Sequence, residues 1–406
     1  MNYKWIAVIL MVVIYLYRML ISVLSLLSEK NPIPENVSDV YDKETYLKWR
    51  EYHAETNRFG MISFSVSMFV SVLLLVFNVY AVFANLFPDG VFWQTFSVIL
   101  VSSLASLIDI PFSWYDTMVI EEKYGFNKTT AKTFWADQVK TFIISLFIIT
   151  GIGCLLFVLH RLFGDWLIPA FAVIMTALVL LIAFLYPFLS RIFNKFTPLE
   201  DGELRDKLTA LLEKNGYKVR EINVMDASRR TTKSNAYFSG FGKMKTIVLY
   251  DTLIETLTPD EICAVFAHEL GHGLHGDTIK NHILTFFQMA MLAVFAWFTL
   301  HTVEIFTDFG FDGINYGFAL LMIIGLEFPL VSPLAALITN YFSRKAEYAA
   351  DAHAVKEGYG EQLITSLKSL AKENYANLSP SPIIVKLEYS HPTLSQRIDA
   401  IRKLSS

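Results

Sequence analysis

Seven apolar runs divide this 406-residue chain, lying near residues 5 to 27, 61 to 87, 92 to 112, 141 to 162, 166 to 189, 283 to 305 and 317 to 340. Each is close to the roughly 20 residues that a helix needs to cross a hydrocarbon core. In lipid every backbone N–H and C=O must be satisfied within the segment, which leaves helices as the natural form for such runs. Residues of hydrophobic type make up 54% of the chain and aromatics 15%, with a mean hydropathy of +0.42. That is too apolar for an ordinary soluble domain. The expected fold is a multi-pass α-helical membrane protein of about seven transmembrane helices that could enclose a cavity.

Lys4 precedes the first run and Arg18 interrupts it, with no small-residue cleavage pattern after it, so the run reads as a retained span rather than a signal peptide. The two cysteines, Cys154 in a predicted span and Cys263 outside one, read as packing residues and not as a disulfide framework. A net charge of -4 without a basic run argues against a nucleic-acid partner. The connections at 28 to 60 and 113 to 140 carry Lys30, Lys43, Lys48, Arg50, Arg58, Lys123, Lys128, Lys132 and Lys140, whereas 88 to 91 and 306 to 316 carry no Lys or Arg. By the positive-inside rule the first set is cytoplasmic. The N-terminus then lies outside, and the 190 to 282 segment and the 341 to 406 tail lie in the cytoplasm.

The expected organisation is helices one to five with their cytoplasmic loops in 1–189, a cytoplasmic segment in 190–282, helices six and seven in 283–340, and a completing segment in 341–406. Within 190–282 a polar helix near 200 to 215 ends at Gly216. It is followed by strand-like runs at 221 to 225, 236 to 239 and 246 to 250. Gly240 and Gly242 separate the last two, as antiparallel neighbours require.

His268-Glu269-Leu270-Gly271-His272 then places two imidazoles one helical turn apart with a carboxylate beside the first. Positions i and i+4 share a helix face, so both rings can reach one Zn²⁺, and Glu269 can take a proton from water that the metal activates. Chance alone would produce this pattern in about one chain in a hundred of such composition. The context supports it: Thr258-Pro259-Asp260-Glu261 is a helix start with an N-cap Thr, Pro at the first position and Glu three residues after the cap.

A catalytic zinc usually has three protein ligands and an open position. His275, an Asp near the membrane and Glu347 compete for the third place. In the HExxHxxGxxH pattern a Gly stands where this chain has His275, and the last His where it has Thr278, which disfavours that class. Asp89-Gly90, the pair an intramembrane protease would need in a later span, precedes the motif and reads as a turn. Glu347 is preferred, because Ser343-Arg344-Lys345-Ala346-Glu347-Tyr348-Ala349-Ala350-Asp351 continues the seventh helix and again sets two carboxylates at i and i+4. One could bind the metal while the other accepts a hydrogen bond from a ligand histidine.

With Ser234-Asn235-Ala236-Tyr237 before the motif, His391-Pro392-Thr393 and Arg397 after it, and Glu121-Glu122-Lys123-Tyr124-Gly125-Phe126-Asn127-Lys128 behind the third span, the chain resembles the zinc-dependent type I CAAX prenyl proteases over most of its length. The resemblance implies one zinc per chain held by His268, His272 and Glu347, with Glu269 as general base and acid and Asp351 holding a ligand. It implies a gluzincin-like α+β zinc domain on the cytoplasmic side. It also implies that Asn235, Ala236 and Tyr237 form an exposed strand edge for an extended peptide, and that His391 and Arg397 stabilise the developing oxyanion. The substrate would be a protein or peptide, with a prenylated C-terminal Cys as the family name suggests, and the lipid bilayer is the other partner.

The short connection between spans six and seven and the absence of an evident retrieval signal point to a bacterial inner membrane; a eukaryotic member would sit in the endoplasmic reticulum. Two other functions compete: membrane-protein quality control without a prenyl requirement, and a non-catalytic metal-binding scaffold or transporter. The ligands flank the membrane instead of lying at its midplane, and no internal repeat is visible, which weighs against a transporter. Arg18, Asp109 and Glu327 interrupt apolar runs, where a central charge costs about 2.5–3.5 kcal/mol. They either line a water-filled cavity or are met locally, by snorkelling and by pairing at helix breaks near Pro111, Pro329 and Pro333.

Overall fold

The computed structural model describes residues 2–233, 235–239 and 244–405. All seven apolar runs are helical: α1 (Tyr3–Ser28), α2 (Lys43–Val76), α3 (Val91–Ala105), α4 (Ala131–Phe163), α5 (Leu167–Ser190), and the two that follow the motif. Among the described residues six helical stretches are long and apolar enough to cross a membrane, and Leu167–Ile182 within α5 is a shorter apolar helix. Ile9, Phe69, Phe147 and Leu334 point outward at 62, 63, 66 and 62% exposure, as lipid-facing side chains should. The protein is a multi-pass integral membrane protein.

Several helices outrun their apolar stretches. Asp42 accepts a hydrogen bond from the Thr45 N–H at 2.8 Å and starts α2 at Lys43, so most of the expected cytoplasmic connection is helix. Asn78, at φ 57°, ends that helix. The third span continues from α3 through Asp109–Tyr115 and a π-helical turn, Asp116–Glu121. The last begins at Tyr316–Met322, widens to a π-helical turn over Ile323–Glu327, and runs on as a 29-residue helix, Phe328–Lys356. The widened turn falls just before Pro329 and Pro333, which withhold backbone N–H donors. This extension carries Glu347 and Asp351 beyond the apolar run.

Two of the polar interruptions have a hydroxyl partner, although the second Glu327 oxygen, Oε2, has none among the described residues. Ser67 donates to Asp109 and Thr299 donates to the buried Glu327, and Arg18 is exposed on α1. Both cysteines are free.

Beyond α5 the chain forms α6 (Glu203–Lys214), stopped by Gly216 at φ 77°. A four-stranded sheet of β1 (Phe196–Pro198), β2 (Lys218–Met225), β3 (Ala236–Ser239) and β4 (Met244–Tyr250) has the order β1-β2-β4-β3. β2 and β4 are parallel, with Ile222 opposite Ile247, and β3 is antiparallel to β4. β3 is therefore an edge strand. Ser234, Gly240 and Gly242 lie outside the described residues. Strand β1 was not expected; three residues ending in proline leave no alternation to read.

Helices α7 (Pro259–Leu274), α10 (Gly360–Glu373) and α11 (Leu394–Ser405), with the end of α9 (Phe328–Lys356), share one core with α6 and the sheet, whereas α8 (Asp277–His301) returns as a span and packs on α5. Their shared core holds Leu208, Leu212, Ile247, Phe266, Leu363 and Ile398, and it also takes Val37, Val40, Tyr41 and Trp49 from ahead of and within α2. This core therefore draws on three stretches of chain, residues 37–49, 208–270 and 354–401.

Candidate active site

Helix α7 starts as its sequence specifies. Thr258 caps it, Pro259 occupies the first turn, and the Glu261 carboxylate accepts from the Thr258 N–H at 2.8 Å to close the capping box. Apolar Ile262, Phe266 and Leu270 turn into the core at 1, 0 and 2% exposure. This fixes the rotation of the helix and points His268 and His272 at α9. Close approach of the two helices depends on Gly271, where an added Cβ would lie 2.7 Å from the Ala350 Cα.

The crossing brings one oxygen or ring nitrogen from each of His268, His272 and Glu347 within 4.8 Å of one another. His268 Nε2 lies 3.4 Å from Glu347 Oε2, and His272 Nε2 lies 3.2 Å from Glu347 Oε1. On the far side of each ring Nδ1 meets a carboxylate: Asp351 at 2.8 Å for His268 and Asp277 at 3.0 Å for His272. Both rings thus direct Nε2 at a common point and are held in orientation from behind, the usual arrangement around a metal-binding histidine.

Asp277 was missed in the sequence. Gly276, at φ 66°, reverses the chain after α7 and delivers Asp277 as the first residue of α8, where Lys280 Nζ also donates to it at 2.8 Å. An acidic residue five positions after the second His, behind a glycine, was the available signal.

In the metal-free site, burial alone would lower the His272 imidazole, but Glu347 and Asp277 outweigh it and push its pKa up to about 9. Burial opposes protonation of His268 as well, yet its Asp351 and Glu347 partners raise it above the ordinary histidine value. Burial would raise Asp277, and the charges of Lys280 and His272 reverse this and lower it.

Arg397, on α11 and 8% exposed, donates through Nε and Nη2 to the two Asp351 oxygens at 2.9 and 2.6 Å, and its Nη1 lies 3.3 Å from Glu347 Oε2. His391 has a largely exposed ring, with Nε2 3.3 Å from Glu347 Oε1 and Nδ1 2.9 Å from the Ser390 hydroxyl. These residues and Glu269 line one cleft of about 390 Å³ together with Asn235, just ahead of β3, Ala236 at its start, and Leu363, Leu367 and Leu370 on α10. Backbone pairing places Tyr237 in β3 opposite Val248. His275 ends α7 as its C-cap and takes no part in the cluster.

The residues fit a metal. Two neutral-capable imidazoles and a carboxylate form a donor set suited to zinc, and the buried Glu347 Oε2 accepts no hydrogen bond among the described residues. With only the longer approaches of Arg397 Nη1 and His268 Nε2, at 3.3 and 3.4 Å, that oxygen keeps lone-pair capacity that a metal ion would use.

Comparison with known proteins covers both halves of the molecule. The family described as CAAX prenyl protease N-terminal, five membrane helices, matches residues 22–195, and peptidase family M48 matches residues 198–405. The CAAX prenyl protease 1 homolog of Arabidopsis thaliana is 33% identical over 407 residues, covering 96% of this chain and 95% of the relative. CAAX prenyl protease 1 of Saccharomyces cerevisiae is 32% identical, covering 92% and 89%. The crystal structure of S. mikatae Ste24p superposes with a TM-score of 0.91 at 27% identity, covering 99% of each chain. Because the similarity runs through the spanning helices as well as the HExxH cleft, the chain belongs to the type I CAAX prenyl protease family and is an integral membrane metallopeptidase.

Proposed function

We propose that the protein is a zinc endopeptidase that removes the C-terminal residues following a prenylated cysteine, with its cleft on the cytoplasmic side of seven membrane spans. The observation that carries this is the convergence of His268, His272 and Glu347 within 4.8 Å, with Asp351 and Asp277 behind the two rings. These three side chains would hold one Zn²⁺, which when bound polarises the scissile carbonyl and makes water a nucleophile near neutral pH. Glu269, on the cleft wall, takes the proton from the attacking water and returns it to the leaving amine. His391 offers an accessible ring N–H to the developing oxyanion, and Arg397 adds a fixed positive charge behind Glu347 in a site where water no longer screens it.

Substrate peptide would lie along β3. Tyr250 N–H donates to Asn235 C=O at 3.1 Å. Because an antiparallel ladder alternates, the backbone groups of Ala236 then face away from β4 and toward an incoming strand. In the free protein the Ala236 N–H is held by the Asn235 side chain at 2.9 Å. The positive-inside charge distribution supports the cytoplasmic orientation, in the bacterial inner membrane or, for a eukaryotic source, the endoplasmic reticulum.

The test is purified protein in detergent, with zinc measured per chain and cleavage followed on a farnesylated CAAX peptide and its unprenylated twin. Prenyl-dependent cleavage that Glu269→Gln abolishes with zinc retained is the expected result. Equal cleavage of both peptides would replace the prenyl-specific function with membrane-protein quality control. Zinc binding without cleavage of either would leave a metal-binding scaffold.

A further inference from the structure

The 121–128 turn, conspicuous in the sequence and distant from the zinc site along the chain, has no part in the chemistry above. In the structure it grips residues 226–233, which lead from β2 toward the substrate edge. Its own shape is fixed first: Phe126 N–H and Asn127 N–H both donate to Glu121 C=O at 2.8 and 3.2 Å, Gly125 takes φ 83°, and Asn127 Oδ1 accepts from Thr129 N–H at 2.7 Å. The turn then pairs with the connector through an antiparallel bridge between Asn127 and Thr231 and a Lys128 N–H to Arg230 C=O bond of 3.1 Å.

One side chain of the connector reaches back. Lys233 Nζ lies 3.2 Å from the Tyr52 hydroxyl and 3.4 Å from Glu121 Oε1, and 4.9 Å from the centre of the Phe126 ring. Tyr52, on α2, closes the triangle by donating to the same Glu121 oxygen at 2.6 Å. The Lys233 C=O is also held, by the Thr252 hydroxyl at 3.1 Å. Two residues further on, Asn235 begins the free edge and lines the cleft. A four-residue strand bonded on one side only has little to hold its leading end. Here that end is anchored through Lys233 to a spanning helix and to the turn behind the third span.

We propose that Lys233, Tyr52 and Glu121 are positioning residues for peptide binding: they hold the entrance of β3 in the extended register an incoming substrate strand requires. This rests on the reading of β3 as the substrate edge. None of the three belongs to the zinc cluster. Loosening them weakens ground state and transition state binding alike, which raises KM and leaves kcat in place. A side chain that merely stabilised the fold would instead reduce the active fraction, lowering apparent kcat at unchanged KM.

The experiment uses the full-length, zinc-loaded protein and a farnesylated CAAX peptide. Lys233→Met is expected to raise KM about tenfold, the loss of a charge-assisted hydrogen bond, with kcat within about twofold, zinc content unchanged, and Lys233→Arg restoring KM. Tyr52→Phe keeps the ring packing and should shift KM the same way. That milder variant carries the test if Lys233→Met does not fold. Wild-type KM in both variants, or a loss confined to kcat, overturns the proposal. A peptide N-methylated on the residues flanking the scissile bond, given to the wild-type protein, separates the two levels. If N-methylation leaves KM unchanged, the strand-edge reading itself falls; if it raises KM while the Lys233 and Tyr52 variants behave as wild type, only the positioning role falls.

Discussion

At the residue scale the site depends on what stands behind the ligands. Asp277 grips His272 as Asp351 grips His268, and such partners typically contribute 10–100-fold in metal affinity. Asp277→Asn should therefore weaken zinc binding by about that factor with the helices intact, as read by chelator competition and circular dichroism; unchanged affinity would show that Asp277 serves only the start of α8. The pair of histidines also fixes a pH dependence. His272 is raised from 6.5 to about 9 in the metal-free site, so a proton must leave before zinc binds. Affinity of the stripped protein should climb with pH and level off above about 9, with proton release measurable by calorimetry in two buffers of different ionisation enthalpy. The metal-free fold responds in the opposite sense. A folded-state pKa above the unfolded value contributes stability fully present below about 6.5 and lost as pH rises through about 9. A pH-independent zinc affinity over that window would contradict this assignment.

At the element scale the decisive contact is α7 against α9. An added Cβ at Gly271 meets backbone, the Ala350 Cα at 2.7 Å, whereas at Gly273 it meets only the end of a side chain, the Tyr217 hydroxyl at 2.6 Å. Gly271→Ala should push the helices apart, costing about 1–3 kcal/mol of stability and separating the histidines from Glu347. Gly273→Ala should be near neutral, because alanine's helix propensity offsets a small shift of Tyr217. Thermal unfolding and zinc content of the two variants check this, and equal behaviour would refute it. The contrast also shows what a sequence discloses. Thr258, Pro259 and Glu261 announce the start of α7, and i, i+4 spacing puts His268 with His272 and Glu347 with Asp351, because these are local relations. That Gly271 is where the two pairs meet is a property of the crossing. Likewise α2 was read from its apolar run alone, although Asp42 caps it well upstream. The π-helical turn before Pro329 left no periodic trace at all.

At the scale of the whole molecule, the two family segments, 22–195 and 198–405, meet near the end of α5, yet the physical core ignores that boundary. Val37, Val40, Tyr41 and Trp49 are 0, 5, 6 and 2% exposed inside the core that α7, α10 and α11 build. Tyr41 donates to the Ala371 and Ala376 carbonyls at 2.9 Å each, Trp49 Nε1 to the Tyr375 carbonyl at 3.0 Å, and Asn36 to the Ser395 carbonyl at 2.9 Å. Four buried side chains of this kind are worth about 6–12 kcal/mol as an upper figure, comparable with the 5–15 kcal/mol that separates a typical folded domain from its unfolded chain. A fragment of residues 198–406 should consequently fail to form a zinc-binding fold by itself, although it contains every proposed ligand. Co-expression with residues 1–195 should restore zinc, because the missing core is supplied in trans. Restoration should be lost again when Tyr41 and Trp49 are both changed to alanine, since cavities and orphaned carbonyls would remain. Zinc bound stoichiometrically by the lone fragment would mean that the metalloprotease half is an independent domain and that the N-terminal segment only leans on it.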